Sequence, residues 1–281
     1  MNLKLIYNFA QIISKDMGIK NRILKSLIVL ICCAPLVSCG GVSRVKSSES
    51  INKDYDIYLL IGQSNMAGRG KMIEGDQNVF SDKVFLLDSE GKAVPATNPL
   101  NQYSTIRKDM KMQQIGPGFS FSKKIAEKTG RKILLVVNAK GGSKIEEWAV
   151  GTTFYNDAVS RTKEAIALGG QLKGILWHQG CANSGKPDNY LSDLKVIVES
   201  LRKDLKAPKL PFIAGELAYW RKTSPKFNKI IRTISDVIPY SDYVSAEGCS
   251  MLKDEKDPHF GREGQILLGE RYADKVLKMC Y

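Results

Sequence analysis

Residues 57–68 of this 281-residue chain read IYLLIGQSNMAG, an apolar run that ends in Gly62, Gln63 and Ser64. An apolar run without polar alternation is typical of a strand that is buried on both faces, as the strands of parallel sheets are. A glycine beside a serine, where such a strand turns into a helix, exposes the hydroxyl and leaves backbone N–H groups that can bind an anion. The stretch therefore predicts a parallel sheet with a reactive hydroxyl at one strand end. A serine that only caps the following helix is the alternative.

The rest of the chain continues this alternation of short apolar runs and longer helical patterns. Strands are predicted at 57–61, 133–137, 174–177, 210–214 and 243–246, with 84–87 as a further strand that enters a turn. Helices are predicted at 119–128, 154–168, 190–205, 227–237 and 263–278. Alternation at this spacing favours a parallel sheet covered by helices on both faces. The predicted fold class is α/β: a three-layer α/β/α sandwich with a central, mostly parallel five-stranded sheet, in one domain over residues 55–281.

Residues 1–38 have the layout of an export signal. Basic residues at positions 20, 22 and 25 precede an apolar run at 27–34, which is shorter than the roughly 20 residues needed to cross a bilayer as a helix. Met17 is a reasonable true start of the chain, because the basic, apolar and small-residue regions all follow it. We expect this signal to be removed during export.

The end of the predicted signal, LVSC at residues 36–39, resembles a bacterial lipobox. The resemblance implies cleavage before Cys39 and attachment of lipid to its sulfur; a plain secretory signal is the alternative. Residues 39–54 then comprise the lipidated cysteine and a polar tether. The expected location is the bacterial cell envelope, with the outer membrane contacted through the lipid anchor only, and the domain facing either the periplasm or the surface.

The composition, 43% hydrophobic and 25% charged, is that of a soluble globular protein and excludes collagen-like, disordered and polytopic membrane proteins. The net charge of +13 becomes +9 when residues 1–38 are removed. Lysines alternate with acids along the predicted helices, and no basic tract is interleaved with aromatic residues. No nucleic-acid partner is therefore predicted.

Histidine and cysteine, the residues that most often bind zinc, are few in the predicted domain. The chain has two histidines, and Cys181, Cys249 and Cys280 lie far apart without the spacing of a metal site. These counts and spacings argue against a zinc site, and no cofactor is predicted. One disulfide among these three cysteines is compatible with an oxidising compartment, and the sequence does not select the pair.

Polar segments follow several predicted strands directly. They are GQSN at 62–65, NAKGGS at 138–143 and HQGC at 178–181, and a fourth segment, DPH at 257–259, lies shortly after the last predicted strand and before the last helix. Since the carboxyl ends of parallel strands meet at one edge of a sheet, these segments are expected to converge. Together they supply a nucleophile, amide donors and a histidine with a carboxylate, which are the groups that acyl transfer needs. Taken singly, each also fits a capping serine, a flexible turn or a structural His–Asp pair.

These segments resemble the motif blocks of SGNH hydrolases, in particular the sialate O-acetylesterase-like branch that includes the acetylxylan esterases of carbohydrate esterase family six. The resemblance rests on GQSNM at 62–66, KGGS at 140–143, WHQG at 177–180, HF at 259–260, GQ at 264–265 and GERYA at 269–273. It covers roughly residues 55–278. It implies a flavodoxin-like three-layer fold, a mechanism without a metal, and hydrolysis of O-acetyl groups on carbohydrate.

The resemblance also implies roles for individual residues. Ser64 would attack the acetyl carbonyl, and His259 would take the proton of its hydroxyl. The backbone amides of Ser64 and Gly142, with the side chain of Gln179, would bind the oxyanion. The remaining motif residues would contact substrate: Gln63, Asn65 and His178.

The sequence departs from the superfamily pattern in two places. The aspartate usually stands three residues before the histidine, but Lys256 occupies that position and Asp257 stands two before. Asp257 is the predicted third member of the triad; Asp254, or a Ser–His dyad without a carboxylate, is the alternative. In addition, many relatives carry glutamate where this chain has Cys181, to which no catalytic role is assigned.

The predicted function is a carbohydrate O-acetylesterase, acting on sialate or a xylan-type glycan through a Ser-His-Asp acyl-enzyme mechanism. Two other functions remain open at this stage. One is a catalytically weak or inactive glycan-binding lipoprotein on the same fold. The other is an esterase for acyl groups of peptidoglycan or lipid. The predicted partner is an acetylated carbohydrate, and the sequence predicts no oligomeric state.

Overall fold

The structure, a computed structural model, describes residues 55–281. The predicted signal at 1–38, the lipidation at Cys39 and the tether at 39–54 lie outside the described residues. Among residues 55–281, none of the helices combines the length and the apolar character that crossing a membrane requires.

A seven-stranded sheet forms the centre of the domain. Its strands are β1 (Tyr55–Gly62), β2 (Val84–Leu87), β3 (Ala93–Pro95), β4 (Lys132–Ala139), β5 (Gln171–His178), β6 (Phe212–Gly215) and β7 (Ser241–Val244). Their order across the sheet is β3-β2-β4-β1-β5-β6-β7. Neighbouring strands pair in parallel throughout, except β2 and β3, which form an antiparallel pair at one edge.

The predicted mostly parallel α/β sheet is confirmed, but the predicted number of five strands is wrong. Of the two strands that extend the sheet on one side, β2 coincides with the further strand predicted at 84–87, whereas β3 was not predicted. β3 has only three residues and ends in Pro95, which has no N–H to donate, so it carries a weak sequence pattern and lies at the edge.

Seven α-helices connect the strands of the described domain. They are α1 (Ser64–Ala67), α2 (Gly118–Thr129), α3 (Thr153–Ala167), α4 (Tyr190–Asp204), α5 (Ser224–Arg232), α6 (Ile234–Val237) and α7 (Arg262–Cys280). The single helix predicted at 227–237 is two helices in the structure, α5 and α6. Short 3₁₀ turns lie at Leu100–Tyr103, Met110–Met112 and Ile145–Trp148.

Two hydrophobic cores lie on opposite faces of the sheet, as the alternation of β1 shows. Ile57, Leu59 and Ile61 belong to a core that includes residues of α3, α4 and α5. Tyr58 and Leu60, whose side chains point the other way, belong to a core that includes residues of α2 and α7. The uniformly apolar sequence of β1 follows from this arrangement, because both faces of the strand are covered.

The carboxyl ends of the three central strands β4, β1 and β5 lie side by side at one edge of the sheet. Gly62 at the end of β1 pairs with Ala139 at the end of β4 and with His178 at the end of β5. Gly62 has a φ of +135°, and a Cβ atom there would lie 2.4 Å from the carbonyl oxygen of His178. Only glycine permits this approach, which sets the segments after β1, β4 and β5 side by side.

Candidate active site

Ser64 and His259 are in direct contact at the carboxyl edge of the sheet, although 195 residues separate them in sequence. Ser64 is the first residue of α1, immediately after β1, and His259 lies in the loop before α7. The Oγ atom of Ser64 lies 3.0 Å from Nε2 of His259. The imidazole side chain is 25% exposed, so the pair reaches the surface of the protein.

The other ring nitrogen of His259 faces Asp257. Nδ1 of His259 lies 2.5 Å from Oδ1 of Asp257, and the same carboxylate oxygen accepts the backbone N–H of His259 at 3.0 Å. The separation of two residues is therefore sufficient, because the Asp-Pro-His turn folds the carboxylate back onto its own histidine. With Nδ1–H donated to Asp257, Nε2 is left as the nitrogen that can accept the hydroxyl proton of Ser64.

Asp254, the other candidate carboxylate, has a different position. Its Oδ1 atom accepts the backbone N–H of Lys256 at 2.8 Å, in an exposed turn of the loop. It makes no hydrogen bond to His259 in the described residues. Asp254 therefore shapes the loop, and the carboxylate next to the imidazole is Asp257.

The environment of His259 favours the neutral imidazole. Burial lowers its pKa below the ordinary value of 6.5, the Asp257 carboxylate opposes this, and the positive charge of Arg69 adds to the lowering. A histidine that is neutral at physiological pH can accept a proton from a hydroxyl, which is the requirement for a general base.

Backbone amides lie next to the serine. The amide of Ser64 is at the first position of α1, where a helix leaves its N–H groups without an internal partner. The Gly141–Gly142 turn follows β4, and the point that a Cβ atom on Gly141 would occupy is 3.7 Å from Cβ of Ser64. The amide of Gly142 makes no hydrogen bond to another residue of 55–281. The structure thus brings the two predicted oxyanion amides to the same region.

The side chain of Gln179 is not available as an oxyanion donor, contrary to its predicted role. Its Nε2 atom donates to the carbonyl oxygen of Ser143 and to Oδ1 of Asn183, each at 2.9 Å, and its Oε1 atom accepts the hydroxyl of Tyr190 at 2.7 Å. The side chain is fully buried. Both amide hydrogens are therefore already used to fix the loop after β5.

Gln63, which was predicted to contact substrate, has a structural role. Its Oε1 atom accepts the backbone N–H of Gly180 at 3.0 Å, and its own backbone N–H donates to the carbonyl oxygen of His178 at 2.8 Å. The residue is 2% exposed. Gln63 joins the segments that follow β1 and β5 and does not present its amide to a ligand.

Asn65 is also a structural residue, and it holds the histidine loop. Its Nδ2 atom donates to the carbonyl oxygen of Pro258 at 3.1 Å, and its Oδ1 atom accepts the backbone N–H of Phe260 at 3.2 Å. These two contacts flank His259 on either side. Asn65 is fully buried, so the predicted contact with substrate is replaced by a role in positioning the imidazole.

His178, the third residue predicted to contact substrate, lies in the core. Its ring is fully buried, and Nδ1 lies 3.3 Å from the hydroxyl of Tyr272 on α7. Burial without a neighbouring carboxylate lowers its pKa to about 3. Its ring packs edge-on against Phe260, with 5.7 Å between the ring centroids. His178 is therefore a neutral core residue, and its ring supports the loop of His259 through the contact with Phe260.

Two residues near the site had no predicted role. Trp220, after β6, donates its indole N–H to the carbonyl oxygen of Asp257 at 2.7 Å and packs edge-on against Phe260. Arg69, just after α1, is 8% exposed and lies beside the Gly141–Gly142 turn. A signal for Arg69 is present in the sequence, since it is the first charged residue after the uncharged stretch 57–68 that contains the predicted nucleophile. Trp220 has no comparable signal.

The three cysteines of the described domain form no disulfide with one another. Cys181, Cys249 and Cys280 are free in the structure, and burial raises the pKa of Cys181 to about 12 and that of Cys249 to about 11. No disulfide joins these three residues, and the protonated thiol of Cys181 is a poor nucleophile. Within residues 55–281, no cluster of three or more His, Cys, Asp or Glu side chains is placed to hold a metal ion.

A mostly parallel α/β sheet that ends in a Ser–His pair beside unoccupied backbone amides is the arrangement of an esterase or a related hydrolase. The comparisons with known proteins agree. Residues 54–278 match the family of carbohydrate esterases described as sialic acid-specific acetylesterases. Since the match covers most of the chain, the protein belongs to this family.

Individual relatives share the fold along most of the chain. A probable carbohydrate esterase of Arabidopsis thaliana is 27% identical over 240 residues, which cover 79% of this chain and 90% of the plant protein. The X-ray structure of this plant protein has a TM-score of 0.71 at 26% identity and covers 81% of this chain and 100% of its own.

Two further crystal structures are similar in fold. NanS has a TM-score of 0.62 at 18% identity and covers 81% of this chain and 98% of its own. A carbohydrate acetylesterase from Xanthomonas citri has a TM-score of 0.59 at 16% identity and covers 80% of this chain and 56% of its own. These two structures show the shared fold, and the relationship to carbohydrate esterases rests on the family match over residues 54–278.

Proposed function

We propose that this protein hydrolyses acetyl esters on carbohydrate by an acyl-enzyme mechanism, with Ser64 as nucleophile, His259 as general base and Asp257 as the partner of the imidazole. The observation that carries the proposal is the 3.0 Å contact between Ser64 Oγ and His259 Nε2, with Asp257 at 2.5 Å from the opposite ring nitrogen. Membership of an acetylesterase family supports the same reaction.

In the first half of the reaction, Oγ of Ser64 forms a bond to the acetyl carbonyl carbon while its proton passes to Nε2 of His259. The π electron pair of the carbonyl moves to its oxygen, where the amides of Ser64 and Gly142 stabilise the negative charge. The pair then returns, the bond to the sugar oxygen breaks, and His259 gives its proton to that oxygen. The products are the free sugar hydroxyl and an acetyl-serine.

The second half of the reaction repeats these steps with water. His259 takes a proton from water, the hydroxide attacks the acetyl-serine, and the proton returns to Oγ of Ser64 as acetate leaves. Asp257 accepts a hydrogen bond from Nδ1–H throughout and stabilises the imidazolium that forms in each half. No group beyond the side chains named here and water is required for atom and charge balance.

The substrate follows from the family and its relatives. Family members are described as specific for sialic acid, and a related structure is that of a carbohydrate acetylesterase, so an acetylated sugar is the proposed substrate. Sialate and xylan-type glycans are the two sugar classes that the sequence motifs favour, and the assignment to carbohydrate esterase family six stays a prediction. Acetate release from acetylated sialate, xylan, pectin and peptidoglycan would decide between them.

The location is proposed from the N-terminal sequence alone. A lipid on Cys39 would hold the enzyme at the cell envelope, where acetylated glycans are accessible from outside the cytoplasm. The substitution Cys39→Ser is expected to release the protein from the membrane fraction. Sedimentation of this variant with the membranes would contradict lipidation at that sulfur.

Replacement of the nucleophile tests the proposal. Ser64→Ala is expected to lower kcat on 4-nitrophenyl acetate and on acetylated sugar by about 10³-fold or more, with an unchanged fold. Ser160→Ala, at an exposed position of α3, is the matched control and should retain wild-type activity. Full activity of Ser64→Ala would reject the mechanism. Saturable binding of acetylated sugars by the wild-type protein without acetate release would instead favour the glycan-binding alternative.

A further inference from the structure

Arg69 is a buried cation next to the serine, and the mechanism above leaves it unused. One end of its guanidinium is fixed: Nη1 donates to the carbonyl oxygens of Gly68 and Met112, each at 2.6 Å. Arginine has five N–H donors, and the two on Nη1 are satisfied by these carbonyls. The donors on Nε and Nη2 make no hydrogen bond to another residue in the described part of the chain.

The free edge of the Arg69 guanidinium and the side chain of Ser64 both lie next to Gly141. Nη2 is 2.7 Å from the position that a Cβ atom on Gly141 would occupy, and Cβ of Ser64 is 3.7 Å from that position. The φ of Gly141 is not positive, so its backbone conformation does not require glycine. A side chain at 141 would clash with the guanidinium where it now lies and would displace it.

Arg69 also lacks the carboxylate that accompanies other arginines of the domain. Arg232 pairs with the buried Glu216, and Arg262 pairs with Asp76. Arg69 is nearly as buried as these carboxylates, yet it forms no ion pair with a residue of 55–281. A buried charge without a direct ion pair is unfavourable, and the carboxylate whose charge acts on Arg69 is Asp257 of the candidate triad. Such a cation, with donors free at a reactive serine, is suited to a negative charge that appears during the reaction.

The oxyanion site has room for such a donor. The amides of Ser64 and Gly142 supply two N–H groups, while both amide hydrogens of Gln179 are bonded within the protein. Resting on the acyl transfer proposed for Ser64, we propose that Nη2 of Arg69 is a further oxyanion donor, which makes Arg69 a catalytic residue. It donates a hydrogen bond to the carbonyl oxygen as the π pair moves there, keeps its own protons, and releases the oxygen when the pair returns.

The test is the kinetics of Arg69→Met on 4-nitrophenyl acetate, an ester without a charged substituent. Loss of one oxyanion donor is expected to lower kcat by about 10²-fold to 10³-fold, with little change in KM. The smaller variant Arg69→Ala should regain part of its kcat when guanidinium is added at millimolar concentration. Added guanidinium can also restore the contacts to the carbonyls of Gly68 and Met112, so the melting temperature is measured alongside kcat. A purely structural role predicts that kcat recovers only together with the melting temperature.

Lys108→Met is the matched control. Lys108 is the other cation at this turn: its Nζ atom is 3.4 Å from the Cβ position of Gly142, and its side chain is exposed. If positive charge near the turn were sufficient, the two variants would behave alike. We expect Lys108→Met to keep kcat within about threefold of wild type, because the effect of an exposed charge is screened by water.

Several outcomes would overturn the role of Arg69. One is wild-type kcat in Arg69→Met while Ser64→Ala is inactive, which would leave the acyl transfer standing and remove Arg69 from it. A second is an increase in KM on an acidic acetylated sugar with kcat unchanged, which would make Arg69 a contact for a substrate carboxylate.

If Arg69→Met does not fold, Arg69→Lys replaces it. The kcat of Arg69→Lys must fall at least about tenfold, because a single ammonium lacks the second donor edge. Activity in Ser64→Ala would instead reject the proposed function itself.

Discussion

The two histidines of the chain lie in neighbouring regions of the same sheet edge but in opposite environments. His259 is partly exposed, with Asp257 on one ring nitrogen and Ser64 on the other. His178 is fully buried, and its ring contacts Tyr272 and Phe260 without a carboxylate. Burial lowers the pKa of both, but only for His259 does a carboxylate oppose the shift.

This difference shows what the protein adds to a histidine to make it a candidate base. Burial alone produces a neutral imidazole that stays neutral, as in His178. A carboxylate on Nδ1 fixes the tautomer and stabilises the cation, and a hydroxyl on Nε2 supplies the proton. His259 has both partners, whereas His178 has no carboxylate and its Nε2 atom has no hydrogen-bond partner in the described residues.

The largest effect is expected from replacing the exposed histidine. His259→Asn should lower kcat on 4-nitrophenyl acetate by about 10³-fold or more, because the hydroxyl of Ser64 then has no base to accept its proton. The circular dichroism spectrum and melting temperature should stay close to wild type, since the ring lies in a surface loop. Retention of more than a tenth of the wild-type kcat would remove His259 from the reaction.

The next effect concerns the carboxylate. Asp257→Asn should lower kcat by about 10²-fold to 10⁴-fold, because an amide neither holds the Nδ1–H tautomer nor stabilises the imidazolium. Asp254→Asn, in the same loop, is the matched control and should lower kcat less than about threefold, since Asp254 only accepts backbone N–H groups. The reverse ranking would assign the role to Asp254, and two mild effects would indicate a Ser–His dyad.

A smaller loss of kcat is expected when the hydrogen bonds of Asn65 to the loop of His259 are removed. Asn65→Ala deletes the hydrogen bonds to Pro258 and Phe260 on either side of His259. Misplacement of the imidazole should lower kcat about tenfold to a hundredfold and leave KM nearly unchanged. The melting temperature should also fall, because two buried backbone groups lose their partners. An unchanged kcat with a lowered melting temperature would show that Asn65 acts on stability alone.

The smallest effect on activity, and a large effect on stability, is expected at the buried histidine. His178→Ala should lower the free energy of unfolding at pH 7.5 by about 2–4 kcal/mol through the cavity it leaves. Its kcat should stay within about tenfold of wild type under conditions where the variant is folded, because the ring does not contact the reacting groups. Urea unfolding measures the first quantity, and a loss of kcat comparable to that of His259→Asn would contradict the assignment.

The same residue gives the stability a defined pH dependence. The folded-state pKa of His178, about 3, lies below the ordinary value of 6.5, so the unfolded chain binds a proton that the folded protein excludes. The contribution of His178 is therefore present above pH 6.5 and is lost as the pH falls toward 3, by about 1.4 kcal/mol for each pH unit. His178→Ala should show a correspondingly weaker loss of stability between pH 6.5 and 5, and equal acid sensitivity would contradict the buried, neutral state.

The sequence located the site but not the direction of every side chain in it. The motif segments placed Ser64 at a strand end and Asp257 and His259 in the segment before the last helix, and the structure brings these residues into contact. The position of Asp257 could not be decided beforehand, because it depends on how the Asp-Pro-His turn bends. Their catalytic roles are part of the proposed function.

The orientation of Gln179 and Asn65 depends on distant packing. Gln179 turns inward because the hydroxyl of Tyr190, on the next helix, binds its carbonyl, and Asn65 turns inward to the loop near residue 258. No spacing within a motif encodes either contact. The α/β architecture was easier to predict because buried parallel strands leave uniformly apolar runs, whereas the short edge strand β3, ending in Pro95, does not.

The most direct test of the central claim is labelling of the wild-type protein with a fluorophosphonate, which reacts covalently with activated serines. An activated Ser64 should give a single adduct, located on Ser64 by peptide mass spectrometry, and this adduct should be lost in His259→Asn. Absence of an adduct in the folded wild-type protein, an adduct on another residue, or undiminished labelling of His259→Asn would contradict an activated Ser64 at this sheet edge.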